Sequence, residues 1–123
     1  MNKIQFSDMQ KAALVSLLIE MINVDGEVDP RECDAFNTIC VEYGIDDDAF
    51  RLGHSLDSMM AIDMMKRMND VQKITTAQLL TRVIDADLRD DDNEIRLLNL
   101  ICRATGVDVL INALVKEDDL LDS

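Results

Sequence analysis

The amino-acid sequence predicts an all-α domain of about seven helices, and three observations carry that expectation. Apolar residues recur at helical spacing, as in Met9, Ala13, Leu17 and Met21 with Leu14, Leu18 and Ile22 beside them, and no segment alternates with a period of two. One proline and four glycines are too few for the many tight turns of a β-sandwich and suit long helices. The chain also repeats itself. At an offset of 62, residues 14–46 align without a gap onto 76–108 with eleven identities in 33 positions. Leu17, Leu18 and Ile22 fall on Leu79, Leu80 and Ile84. Asp25, Asp29, Glu32, Asn37, Ile39, Cys40, Gly44 and Asp46 fall on Asp87, Asp91, Glu94, Asn99, Ile101, Cys102, Gly106 and Asp108. Each unit alone leaves an apolar face uncovered, so the two are expected to pack about a pseudo-two-fold axis.

Each unit reads as helix, acidic loop, helix. The first helix opens at Ser7, with Gln10 at capping-box spacing, and ends near Val24-Asp25-Gly26, where glycine supplies a left-handed turn. Asp29-Pro30 starts the second helix, with aspartate as N-cap, proline at the first helical position and Glu32 at the third. Its inner stripe is read as Cys33, Phe36, Cys40 and Tyr43, and Gly44 ends it. Asp46-Asp47-Asp48 caps a short helix reaching Leu52, which Gly53-His54-Ser55 is expected to break. The segment from Asp57 to Asn69 carries Met60, Met64 and Met68 at i, i+4 and i+8, with Met59 and Met65 alongside. Helix resumes from Asp70 to Asp85, and again from Asp92 to Thr105, with Ile95, Leu98 and Cys102 as the expected stripe. A last helix starts near Asp108, and the tail from Glu117 to Asp122 is expected to fray. The whole chain, 1–123, then forms one domain, with repeat halves at about 7–46 and 70–108 and connecting helices at 47–69.

Composition limits the function. With 48% hydrophobic residues the chain can build a core without a metal or disulfide staple, and with 3% aromatics that core is aliphatic and methionine-rich. Twelve Lys and Arg against 25 Asp and Glu leave a net charge of −13, which repels phosphate backbones and anionic lipid heads. Nucleic acid and the membrane surface are therefore poor partners; divalent cations and basic proteins are good ones. The longest apolar run, Ala12 to Ile19, is too short to span a bilayer, and no signal peptide is recognisable. Cys33, Cys40 and Cys102 are odd in number and read as small hydrophobes in a reducing cytoplasm, with Cys40 and Cys102 buried on equivalent stripes. His54 stands alone, and there is neither a nucleophile elbow nor a phosphate-cradling glycine loop, so no enzymatic reaction is expected.

The acidic loops are the most informative feature. The first holds Asp25, Glu27, Asp29 and Glu32; the second holds Asp87, Asp90, Asp91, Asp92 and Glu94. Clustered carboxylates on a turn suit hard cations such as Ca²⁺, Mg²⁺ or Mn²⁺. An EF-hand is excluded, because counting from Asp25 puts Pro30 at its glycine position and Phe36 at its bidentate glutamate. The competing explanation is local. Asp29 with Glu32, and Asp91 with Glu94, have capping-box spacing, each cap contributing about 1 kcal/mol. Capping does not explain Asp25 and Asp87, which lie where the helix dipole disfavours negative charge.

The helix Ala13 to Val24, then Asp25-Gly26-Glu27-Val28 and Glu32, then the helix ending at Gly44-Ile45-Asp46, together resemble the TerB-like, or tellurite-resistance, family of helical domains. The second copy, from Ala86-Asp87 through Glu94 to Gly106-Val107-Asp108, is similar to the family's second half, although Leu88 replaces the glycine and Arg89 stands at the Glu27 position. The resemblance implies an acidic, cytoplasmic bacterial domain of the stress response, with a divalent-metal role for the paired acidic motifs. Related domains occur beside membrane-anchored J-domain co-chaperones. It implies ligands at Asp25, Glu32, Asp87 and Glu94, to which the loop residues Glu27, Asp29 and Asp91 add candidate oxygens. The expected function is a non-enzymatic module that binds a divalent cation or a basic protein through these loops, with self-association into a homodimer also open. The alternative is a structural interaction domain with a methionine-rich apolar groove and no metal.

Overall fold

The computed structural model describes residues 4–24, 26–86 and 92–121, with side chains to Leu114. The described residues form seven helices and no strand: α1 (Asp8–Asn23), α2 (Pro30–Glu42), α3 (Asp47–Ser55), α4 (Ser58–Lys66), α5 (Asp70–Asp85), α6 (Asp92–Thr105) and α7 (Val107–Leu121). The all-α class is as expected. Among these residues no single helix is long and apolar enough to cross a membrane.

Helix α1 is the centre of the molecule. Every residue from Ala12 to Leu18 is buried, because α1 packs against α3, α4 and α5 at once. Leu14, Leu17, Leu18 and Met21 join Ile39, Met65, Leu80, Val83, Ile101 and Val107 in one continuous core. The buried Ser16 hydroxyl donates to the Leu56 carbonyl (3.1 Å), which satisfies it at the α3–α4 junction.

The 62-residue offset recurs in the local structure. Helices α1 and α5 each have 16 residues and begin at Asp8 and Asp70; α2 and α6 begin at 30 and 92. Both α1 and α5 open with a reciprocal capping box, Ser7 with Gln10 and Asn69 with Gln72. Gly44 and Gly106, after α2 and α6, both have positive φ (63° and 82°), the left-handed region that a side chain would strain. The two N3 glutamines also meet. Gln10 Nε2 donates to Gln72 Oε1 (3.3 Å), and Gln72 Nε2 donates to Gln10 Oε1 (3.1 Å) and to the Gln5 carbonyl (2.8 Å). Equivalent residues that bond each other reciprocally are what an axis between two repeats would produce. Replacing Gln10 and Gln72 by alanine is expected to cost about 1 kcal/mol each, with a coupling of roughly 0.5–1 kcal/mol in the double-mutant cycle. Denaturant unfolding of the four proteins measures it.

Four expectations need correction. First, Gly53 does not break α3, which runs through it to Ser55. Gly53 lies against α1, and a Cβ placed on it would come 2.5 Å from Val15 Cβ and 2.6 Å from the Ala12 carbonyl oxygen. The glycine serves close helix approach, and His54 lies on that helix, its ring stacked on Phe50. Second, the inner stripes keep Phe36 but otherwise pass from Cys33, Cys40, Ile95 and Cys102 to the residue before each. On α2 the buried residues are Glu32, Phe36 and Ile39, and on α6 they are Glu94, Ile101 and Thr105; Ile95 is 42% exposed. An apolar pattern discounts a carboxylate, so it settles on the cysteines next door. Third, the methionines do not share one face. Met65 and Met68 are buried with Ala61, Met64 is half-buried, and Met59 and Met60 are 74% and 58% exposed. The buried stripe follows Ala61 and Met65 on α4 and Met68 just after it, at i, i+4 and i+7. Fourth, α7 runs to Leu121 and so takes in the tail from Glu117 to Leu121.

The thiols follow from the shifted stripes. Cys33, Cys40 and Cys102 are free and half-buried, packed beside the core rather than within it. Burial pushes the Cys40 thiol up; burial, and then the Asp108 carboxylate, push the Cys102 thiol up. A raised pKa means less thiolate at a given pH, so both are expected to react with iodoacetamide at pH 8 more slowly than a free cysteine. Equal rates, read by mass spectrometry, would contradict this.

Candidate functional site

The sequence delivers the chain to the first acidic loop through the α1 C-terminus and Gly26, whose φ of +81° permits the turn and whose N–H donates to the Asn23 carbonyl (3.0 Å). Asp29 then caps α2. Its Oδ1 accepts the Arg31 N–H at 2.8 Å, and Pro30 occupies the first helical position, where a missing N–H costs nothing. Glu27 is exposed and Asp29 half-buried. Asp25, which precedes Gly26, lies outside the described residues.

Glu32 departs from the cap expectation. The Glu32 side chain is fully buried, at 0% exposure, on the same stripe as Phe36 and Ile39. At the start of α6, 62 residues on, Glu94 is also at 0% exposure. Taking a carboxylate out of water costs several kcal/mol, which hydrogen bonds, an opposite charge or protonation must offset. Two buried glutamates at equivalent helix starts are therefore the least expected placement in the molecule. The identity of Glu32 and Glu94 at the offset was visible in the sequence; their burial was not, although the signal existed. Counting back seven residues from Ile39 and Ile101, which are also identical, places both glutamates on the inner stripe.

The described part of the second loop reduces to Asp92 and Glu94. Asp87, Asp90 and Asp91 lie outside the described residues, as does Arg89. Among the described residues no three metal-ligating side chains converge. Of the seven candidate residues the structure thus places Glu27, Asp29, Glu32 and Glu94, two of them exposed or half-exposed and two in the interior.

The family follows from comparison. A family model described as tellurite resistance protein TerB matches residues 11–110, from the first turn of α1 into α7. The chain belongs to the TerB family. The match spans both acidic loops and both buried glutamates, so these features lie within the family domain. A solved structure similar to this chain is the crystal structure of a protein of unknown function, PG1108, from Porphyromonas gingivalis W83. It is 25% identical with a TM-score of 0.73, covering 86% of this chain and 83% of that one. No curated protein matches.

Proposed function

We propose that this TerB-family chain is a binding module, not an enzyme, of the tellurite-resistance stress response, and that its first acidic loop holds a divalent cation. The observation that carries the reading is Glu32, a carboxylate buried at the start of α2 where a capping role would leave it at the surface. Its counterpart Glu94 is buried likewise. The donors are oxygens throughout, which suits Ca²⁺, Mg²⁺ or Mn²⁺ rather than a thiolate-seeking metal. Asp25, Glu27, Asp29 and Glu32 would form the first site. Asp87, Asp91 and Glu94 would form a weaker second one, since Arg89 replaces the first loop's Glu27 and Leu88 its Gly26. The described side chains alone do not complete a coordination sphere, so Asp25 is essential to the proposal. The charge of −13 favours the same ion and also a basic protein docking over the loops. We place the protein in the cytoplasm, as one domain of two repeat halves.

Calorimetric titration of metal-stripped protein with Ca²⁺, Mg²⁺ and Mn²⁺ tests this. The expected result is saturable binding of at least one of the three, with a tighter event near one ion per chain. No saturable heat for any of them would return the loops to capping and charge.

A further inference from the structure

The two repeats differ in how their third helix closes. In the first, α3 lies tightly on α1 through Gly53, and Phe50 packs edge-to-face on Phe36 (ring centroids 6.0 Å apart, 79°). A shallow pocket of about 270 Å³ remains there, beside Phe36, Asn37 and Phe50. At the offset of 62 these three become Leu98, Asn99 and Asn112, and Gly53 becomes Val115. The plugging ring is lost, and Asn112 lines the space instead. The corresponding space, between α5, α6 and α7, is an open groove of about 610 Å³. Its apolar lining is Ile74, Ala77, Leu98, Cys102, Ile111 and Leu114, with Ile111 and Leu114 43% and 50% exposed.

We propose that this groove docks an amphipathic, basic helix of a partner protein. An apolar trough between helices fits a helix laid in by its apolar face. Charge selects the kind of helix. Asp108 lines the groove, and on the α5 face that contributes Ile74 and Thr81, Asp70 and Asp85 stand one turn beyond at either end. Of the cations on α5 and α6 beside the lining, Arg82 is engaged in a two-pronged pair with Glu42 (2.8 and 2.9 Å), while Lys73 and Arg103 adjoin Ile74 and Cys102, so the acidic bias rests on Asp70, Asp85 and Asp108 together with the net charge of −13. A second copy of the chain would bring another −13 to this face, and an anionic membrane or nucleic acid would be repelled for the same reason. Lysines flanking an apolar stripe would meet the acidic ends while the stripe fills the trough. The proposal does not depend on cation binding at the loops.

The test uses the full chain and a fluorescein-labelled leucine–lysine peptide of about 16 residues patterned as an amphipathic helix. Two controls accompany it: the same composition scrambled, and a version with glutamate for lysine. In about 0.15 M salt, the patterned basic peptide is expected to bind about tenfold or more tightly than either control. It is also expected to slow alkylation of Cys102, which lines the groove, and leave Cys40 unaffected. Ile111→Glu, a change at an exposed position, is expected to abolish both effects with the melting temperature unchanged; Leu114→Glu serves in its place if that variant unfolds. Equal binding of patterned and scrambled peptides, an unprotected Cys102, or undiminished binding by Ile111→Glu would overturn the proposal. So would a dimer, detected by sedimentation, that Ile111→Glu dissociates.

Discussion

Replacing Gly53 by alanine is expected to destabilise the protein by about 2 kcal/mol, the opposite of what a helix-interior glycine ordinarily predicts. By propensity alone alanine is better than glycine in a helix by about 1 kcal/mol. Here the new Cβ would sit 2.5 Å from Val15 Cβ, 2.6 Å from Val15 Cγ1 and 2.6 Å from the Ala12 carbonyl oxygen. One of these is backbone and another is the first atom of a stiff β-branched side chain, so neither can swing away. Relief requires α3 to move off α1, the most buried helix of the fold. Overpacking of this kind typically costs about 1–3 kcal/mol. For a domain of this size that corresponds to a fall in melting temperature of roughly 6–10 °C. An unchanged or higher melting temperature would mean that α3 does not approach α1 this closely.

The second large effect is conditional. Glu32→Gln keeps the shape of the side chain and removes its charge, so it is expected to remove the cation-dependent part of stability. Wild-type protein at a cation concentration a hundred times its dissociation constant gains about 2.7 kcal/mol. Glu32→Gln is expected to gain almost none of it, and Glu94→Gln to retain most. Thermal melts of each protein with and without the cation measure this. The readout is the difference between two melts of one variant, so contacts the carboxylate makes inside the protein cancel. A full cation-dependent shift in Glu32→Gln would remove Glu32 from the site.

Helix boundaries were the most legible part of the molecule, because local chemistry sets them. Ser7 with Gln10, Asp29 with Pro30, and Gly44 mark their helix ends through bonds and dihedral preferences that involve only near neighbours. The extents of α5 and α6 were legible for the same reason. What was not legible depends on tertiary contact. Gly53 is ambiguous in one dimension, since a helix breaker and a close-approach glycine are the same residue until α1 is placed beside it. The α2 and α6 stripes went to the cysteines because hydrophobicity cannot register a buried glutamate, the feature that matters most for the candidate site. On α4 the methionines are so dense that several helical registers fit equally well, and packing against α1 and α6 selects the one through Ala61 and Met65.

The link between a buried carboxylate and a bound ion is tested most directly by where the ion sits. Metal-stripped, ¹⁵N-labelled protein is titrated with substoichiometric Mn²⁺, whose unpaired electrons broaden the amide signals nearest to it. A chain at −13 attracts cations diffusely, so the selectivity of the broadening decides the question. The predicted result is that amides from Gly26 to Cys33 broaden first, before those from Asp92 to Ile95, and that Glu32→Gln removes this preference. Broadening spread evenly over the acidic surface, or unchanged by Glu32→Gln, would contradict a cation site at the first loop.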